Sequence, residues 1–134
     1  MLFYDLQIYK DLVELSKTLN VRIKQMDSYY RRDSGDEMRK LLRDIRFSVY
    51  EANCHPDEEK EKYITELIRK FVKLKILIDD AIENGGFKIS GKKNVVICIK
   101  QLRNVTSQAT KWKNYIRNQK KNNKFDKNLA YDEG

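Results

Sequence analysis

Arginine residues at helical spacing are the side chains of this sequence best suited to binding chemistry. Arg39, Arg43 and Arg46 follow one another at steps of four and three, so on an α-helix they form a single ridge. Tyr50 continues that ridge four residues later. Guanidinium groups pair well with phosphate oxygens, and the spacing therefore predicts a surface that binds a polyanion.

The acidic residues of the same segment keep to the other flank of the helix. Glu37, Asp44 and Glu51 recur every seven residues, which separates the two signs of charge by side. This separation of charge suits two functions, which are compatible with each other. In the first, the arginine ridge binds phosphates; in the second, the basic flank of one subunit meets the acidic flank of the next in a head-to-tail contact. For any single charge, an ordinary salt bridge on a solvated helix surface is the alternative.

A second group of basic residues belongs to the last third of the chain. At about 100° per residue, Lys100, Arg103 and Lys111 fall opposite an apolar stripe that runs from Val95 to Ile116. We expect them to extend the phosphate-binding surface of the arginine ridge. The candidate residues for nucleic-acid or partner binding are Arg39, Arg43, Arg46, Lys100, Arg103, Lys111, Lys113, Arg117, Lys120 and Lys121.

The distribution of charge supports a polyanionic partner. The chain has 134 residues and a formal net charge of +8. Residues 1–91 hold 17 Lys and Arg against 17 Asp and Glu, whereas residues 92–134 hold 11 against 3, so the whole excess lies in the last part of the chain. Lysine and arginine gain free energy by displacing counterions from phosphates. An anionic membrane surface would attract the same charges.

Catalytic chemistry finds little support in the sequence. The single histidine, His55, lies between Cys54 and Pro56, and this is the only place that resembles a metal or nucleophile site. A triad or a zinc site needs partners that one histidine cannot supply, and no Cys-x-x-Cys pair is present. The sequence predicts a non-enzymatic protein with no metal and no cofactor.

Aromatic residues offer two readings. Tyr29 and Tyr30 precede Arg31 and Arg32, so they are candidates for stacking on bases, although aromatic residues at a helix end more often pack. Trp112 occupies a position of the apolar stripe, which indicates a place in the core or in a subunit interface.

Apolar residues at alternating steps of three and four predict four helices, at about residues 5–30, 34–53, 56–84 and 91–118. We expect Asp5 to cap the first, a capping box of Ser34 and Glu37 to open the second, and Gly85-Gly86 to end the third. Val72 is expected to widen the buried stripe of the third helix.

Short loops between long helices favour an all-α, antiparallel up-down four-helix bundle over residues 1–118. Residues 119–134 are expected to form a basic, disordered tail. The sequence has neither an apolar window long enough to span a membrane nor the basic start of a signal peptide, and Cys98 lies within an apolar stripe, so we expect a cytoplasmic protein.

Motifs on three of the predicted helices resemble a known family. They are Tyr50-x-Ala52-Asn53, Lys60-x-Lys62-Tyr63-Ile64, Phe71-x-x-Leu74-Lys75-Ile76-Leu77-Ile78 and Gln108-x-x-x-Trp112-Lys113. Over about residues 5–117, the chain resembles the four-helix-bundle family of the accessory variability determinant (Avd). A sister branch of that family contains the proteins encoded in intervening sequences of bacterial 23S ribosomal RNA.

The resemblance implies a four-helix bundle that assembles as a homopentameric barrel and has no catalytic centre. It also implies binding of RNA and DNA through basic surfaces, and association with the reverse transcriptase of a diversity-generating retroelement. In that system the template RNA is copied with errors at adenines, and the cDNA replaces a variable segment of a target gene. Two alternatives remain open: a protein of the 23S intervening-sequence branch, or a structural module that docks an acidic protein partner.

Overall fold

The computed structural model describes residues 5–87 and 89–132, with side chains described over 5–87 and 94–122. Within these ranges the chain is all-helical and contains no strand. The elements are α1 (Gln7–Lys24), a short α2 (Ser28–Tyr30), a π-helical turn (Arg31–Gly35), α3 (Asp36–Cys54), α4 (Asp57–Glu83) and α5 (Ile89–Asp132). No helix formed by these residues is long and apolar enough to cross a membrane.

The four long helices pack in the order α1, α5, α4, α3, with α1 and α3 in sparser contact across the remaining side. Consecutive long helices run in opposite directions. Lys60 and Lys70 of α4 reach Asn53 and Ser48 of α3 in reverse order along the chain. The predicted all-α bundle is therefore confirmed, and its up-down arrangement follows from these contacts.

Apolar stripes that face the bundle axis form one core. Burial of each such aliphatic or aromatic side chain stabilises the folded state by about 1.5–3 kcal/mol. Trp112 is partly buried against this core, whereas Val72, expected in the stripe of α4, is exposed. Leu6, Tyr9 and Tyr30, which the apolar spacing also assigns to the stripe of the first helix, are only partly buried. Ile8, Leu15, Leu42 and Phe87 are buried although the spacing did not assign them to a stripe. The stripe residues that are buried as predicted are Leu12, Leu19, Ile23 and Met26; Met38, Leu41, Ile45, Val49 and Ala52; Ile64, Leu67, Phe71, Leu74, Ile78 and Ala81; Val95, Cys98, Leu102, Val105, Ala109 and Ile116.

The boundary between the first two predicted helices was placed wrongly. α1 ends at Lys24, and the chain is helical again from Ser28 through the π-helical turn into α3. The expected capping box is absent, because Ser34 lies inside the π-helical turn and α3 has no side-chain cap. A Cβ on Gly35 would lie 2.9 Å from Cγ2 of Ile23, so this glycine permits close packing on α1 rather than a break.

Two other helix ends were predicted from the sequence, the start of α1 and the end of α4. The expected cap at Asp5 is wrong, since Leu6 is the N-cap of α1 and makes no side-chain cap. The predicted stop at Gly85-Gly86 is confirmed: Gly85 has φ +73°, and the Gly86 N–H donates to the Ala81 carbonyl at 2.7 Å. Both features belong to a Schellman motif.

The last helix extends beyond its predicted end. α5 continues to Asp132, so residues 119–132 are helical in the structure, where we expected a disordered tail after residue 118. No proline or glycine interrupts residues 92–133. Lys120 also fixes the start of this extension, since its Nζ donates to the Glu58 carbonyl at 2.8 Å. Residues 133–134 lie outside the described residues.

Candidate nucleic-acid interface

The arginine ridge of α3 lines a groove between α1 and α3. This α1/α3 groove has a volume of about 420 Å³ and is lined by Ser16, Asn20, Lys24, Arg39, Leu42, Arg43 and Arg46. The basic flank of α3 faces the groove because the other flank packs on α4, where Lys70 Nζ donates to Ser48 Oγ at 2.6 Å. None of the described residues that line it is acidic. Four cations therefore concentrate positive potential in one concave surface.

Two of the residues that line the α1/α3 groove each have a buried polar atom with no hydrogen-bond partner among the described residues. Among the described residues, Arg46 Nε and Asn20 Oδ1 have no hydrogen-bond partner. A buried polar group left unpaired costs about 1–3 kcal/mol, and a ligand that pairs with it recovers part of that free energy. Arg39 forms a partly exposed ion pair with Asp36, at 3.8 Å from Nη1 to Oδ1, and a pair of this kind contributes little to stability.

Lys24 and Asn20 were not among the predicted site residues. With Ser16 they recur every four residues along one flank of α1, a spacing visible in the sequence. Ser16 fills a place in the apolar stripe of the first helix, and this position in the stripe concealed the polar flank beside it. The Ser16 side chain is buried, and its Oγ donates to the Leu12 carbonyl at 2.9 Å.

A second groove, between α4 and α5, holds Arg103 and Lys111 together with Lys75, which the sequence did not suggest. This α4/α5 groove has a volume of about 440 Å³; its other lining residues are Phe71, Val72, Leu102, Thr106, Ser107 and Thr110. Lys75 is paired with Asp79 at 2.7 Å. Lys100 is exposed on α5, one turn before Arg103. The lining of the α4/α5 groove is more apolar than that of the α1/α3 groove, since it includes Phe71, Val72 and Leu102 where the α1/α3 groove has Leu42.

The two grooves lie on opposite sides of the bundle. In the packing order α1, α5, α4, α3, the α1/α3 pair and the α4/α5 pair form opposite edges. The expectation that the arginine ridge joins Lys100, Arg103 and Lys111 in one surface is therefore wrong for this chain. The bundle presents two separate basic surfaces.

Three further predicted residues, Arg117, Lys120 and Lys113, lie near a single carboxylate, that of Glu61. Arg117 Nε donates to Glu61 Oε1, and Lys120 Nζ lies 3.7 Å from Glu61 Oε2. The hydrogen bond from Arg117 lowers the pKa of Glu61 below its usual value against an opposing effect of burial, and the charges of Arg117, Lys120 and Lys113 lower it further. These residues join α5 to α4, while Lys121 is exposed on α5.

The tyrosines beside Arg31 differ in their environments. The Tyr30 hydroxyl donates to the Asn84 carbonyl at 2.7 Å, which ties α2 to the end of α4. Tyr29 is exposed and meets the Tyr30 ring edge-on at 5.3 Å between centroids. Tyr30 therefore packs against the bundle, which is the more common role of an aromatic residue at a helix end.

His55 lies at the C-terminal end of α3. Its ring stacks on Tyr63 with centroids 3.8 Å apart, and Nδ1 lies 2.5 Å from the Glu51 carbonyl oxygen. Lys60 Nζ donates to the carbonyls of Asn53 and His55 at 2.9 and 2.8 Å, which satisfies the end of the helix. In the part of the chain that the structure describes, no group of three or more His, Cys, Asp or Glu is placed to hold a metal ion.

Comparison with known proteins assigns this chain to no family. No protein-family model matches the sequence, and no curated protein matches it either.

Proposed function

We propose that this chain is a non-catalytic nucleic-acid-binding protein that serves the reverse transcriptase of a diversity-generating retroelement in the cytoplasm. It binds template RNA and cDNA and supports their use in mutagenic retrohoming. The observation that carries the proposal is the α1/α3 groove, in which four cations meet and none of the described lining residues is acidic. The motifs that resemble the accessory variability determinant family supply the biological setting.

The α1/α3 groove suits a phosphodiester chain for two physical reasons. Cations of one sign in a concave surface reinforce one another's attraction for a polyanion, and each phosphate contact releases condensed counterions. Arg46 Nε also offers a buried donor that has no partner among the described residues, and a phosphate oxygen would satisfy it. No nucleophile and general base are required for this activity.

The α4/α5 groove suits a protein partner better than a nucleic acid. Its lining includes Phe71, Val72 and Leu102. Val72 and Ile76, which lies one turn further along α4, are both exposed. Exposed aliphatic side chains next to Arg103 and Lys111 form a mixed surface of the kind that protein interfaces use. We assign docking of the reverse transcriptase to this side, which leaves the α1/α3 groove open to the nucleic acid.

Assembly as a homopentameric barrel is part of the proposal. It is supported by the separation of charge on α3, where Arg43 and Asp44 belong to opposite flanks and a head-to-tail contact would pair unlike charges between subunits. Light scattering of the purified protein measures the subunit number directly. A monomer at working concentration would contradict the barrel and leave the groove unaffected.

Binding to structured RNA at two salt concentrations tests the central claim. We expect the affinity to fall as salt rises, and the double variant Arg43→Glu, Arg46→Glu to lose binding while its helicity is unchanged. The matched variant Arg103→Glu, Lys111→Glu reverses two charges on the opposite groove and should retain RNA binding but lose the reverse transcriptase. Affinity that does not respond to salt would contradict an electrostatic interface.

A structural module that docks an acidic protein is the second candidate, and the exposed Val72 and Ile76 favour it. That candidate predicts a protein complex that survives nuclease treatment and saturating competitor RNA, with no dependence on the α1/α3 groove. A genomic neighbourhood with a reverse transcriptase gene and paired template and variable repeats would support the retroelement branch over the 23S intervening-sequence branch.

A further inference from the structure

Two exposed aromatic side chains lie beside the α1/α3 groove on α3. Phe47 is 58% exposed and Tyr50 is 42% exposed, and their rings stack with centroids 5.9 Å apart and planes 30° from parallel. Phe47 follows Arg43 by four residues and Tyr50 follows Arg46 by four, so each ring lies one helical turn from an arginine of the groove. Both rings lie outside the core, and Phe47, the more exposed of the two, presents ring surface that a ligand can reach.

We infer that the α1/α3 groove and the Phe47–Tyr50 pair together bind single-stranded nucleic acid, with phosphates in the groove and an unpaired base stacked on the aromatic pair. This inference rests on the proposed function and specifies its substrate. Positively charged grooves combined with stacking side chains are the general means by which proteins hold single strands.

The geometry favours a single strand over a duplex. In a duplex the bases are stacked on one another and paired, so they cannot leave the helix to reach Phe47 without loss of that stacking. An unpaired strand can place its backbone along Arg43 and Arg46 and turn a base toward the rings one helical turn away. A duplex would use the cations and leave the aromatic pair unused.

The polar atoms of the α1/α3 groove favour a nucleotide chain over a free phosphate. Arg46 Nε is a donor and Asn20 Oδ1 is an acceptor, and both are buried without a partner among the described residues. Phosphate oxygens satisfy the donor, whereas the acceptor requires an N–H or O–H group. The amino groups of unpaired bases, or a ribose hydroxyl, supply it.

Fluorescence anisotropy with labelled oligo(U) and oligo(dT), each compared with its matching duplex, tests the inference on the full chain. We expect both single strands to bind more tightly than the duplexes. Phe47→Ala should weaken single-strand binding by roughly tenfold, within the range found for base–aromatic stacking, and leave duplex binding unchanged. Phe47→Trp should restore the affinity, and its added indole fluorescence should be quenched when the oligonucleotide binds.

Tyr115→Ala is the matched control, because Tyr115 is 60% exposed on α5, away from the α1/α3 groove, and its removal should change nothing. Thermal unfolding of each variant checks that the bundle is intact. Equal affinity for single strands and duplexes, or wild-type affinity of Phe47→Ala, overturns the inference. If salt-dependent binding to structured RNA persists in that case, the proposed function stands, whereas absence of binding to every nucleic acid overturns both.

Discussion

The salt dependence of binding gives a quantitative test of the α1/α3 groove. Four cations line it: Lys24, Arg39, Arg43 and Arg46. If each contacts one phosphate of a single strand, the slope of log affinity against log salt is about −2.8 from this groove, so a fourfold rise in salt weakens binding about 50-fold. The double variant Arg43→Gln, Arg46→Gln removes two contacts and should reduce the slope to about −1.4, or about sevenfold over the same range.

The assay is a series of anisotropy titrations with oligo(U) at several salt concentrations. Arg103→Gln, Lys111→Gln removes the same number of charges from the opposite groove and should keep the wild-type slope. An unchanged slope in the Arg43→Gln, Arg46→Gln variant would refute the assignment of phosphates to the α1/α3 groove. Equal reductions in both variants would show that binding responds to net charge rather than to a particular surface.

Three further predictions concern the scaffold that holds the grooves. Lys60→Met leaves the Asn53 and His55 carbonyls without their lysine and should lower the free energy of unfolding by about 1–3 kcal/mol in denaturant titrations, where an unchanged midpoint would contradict the capping role. Burial raises the pKa of Asp11, but hydrogen bonds from Gln108, Gln7 and Asn104 outweigh it and hold that pKa below its usual 3.8. The folded state therefore favours the ionised carboxylate: Asp11→Asn should be less stable than wild type above about pH 4, and the difference should shrink as pH falls through the lowered pKa, as pH-dependent unfolding would show. Burial also raises the pKa of the Cys98 thiol to about 11, so a thiol reagent at neutral pH should modify the exposed Cys54 and leave Cys98 unmodified until the protein unfolds; rapid reaction of both would contradict this.

Much of the bundle could be predicted from the spacing of apolar residues. The stripe from Val95 to Ile116 is buried as expected, except that Trp112 is partly buried. The stop at Gly85 follows from the positive φ that glycine tolerates. The boundary near Gly35 could not be predicted, because that glycine is needed for close packing against Ile23, a residue of another helix. Local capping rules read the same glycine and serine as a helix start.

The candidate site shows the same division between local and tertiary information. Helical period alone determined that Arg39, Arg43 and Arg46 share one flank of α3, since residues three and four apart lie on the same side of any α-helix. The neighbour of that flank depends on the packing order of the helices. Because α3 packs on α4 and faces α1 across an open edge, the arginines meet Lys24 and not Arg103. The sequence by itself determined the faces of each helix, and the tertiary structure decided that the basic faces form two grooves on opposite sides of the bundle.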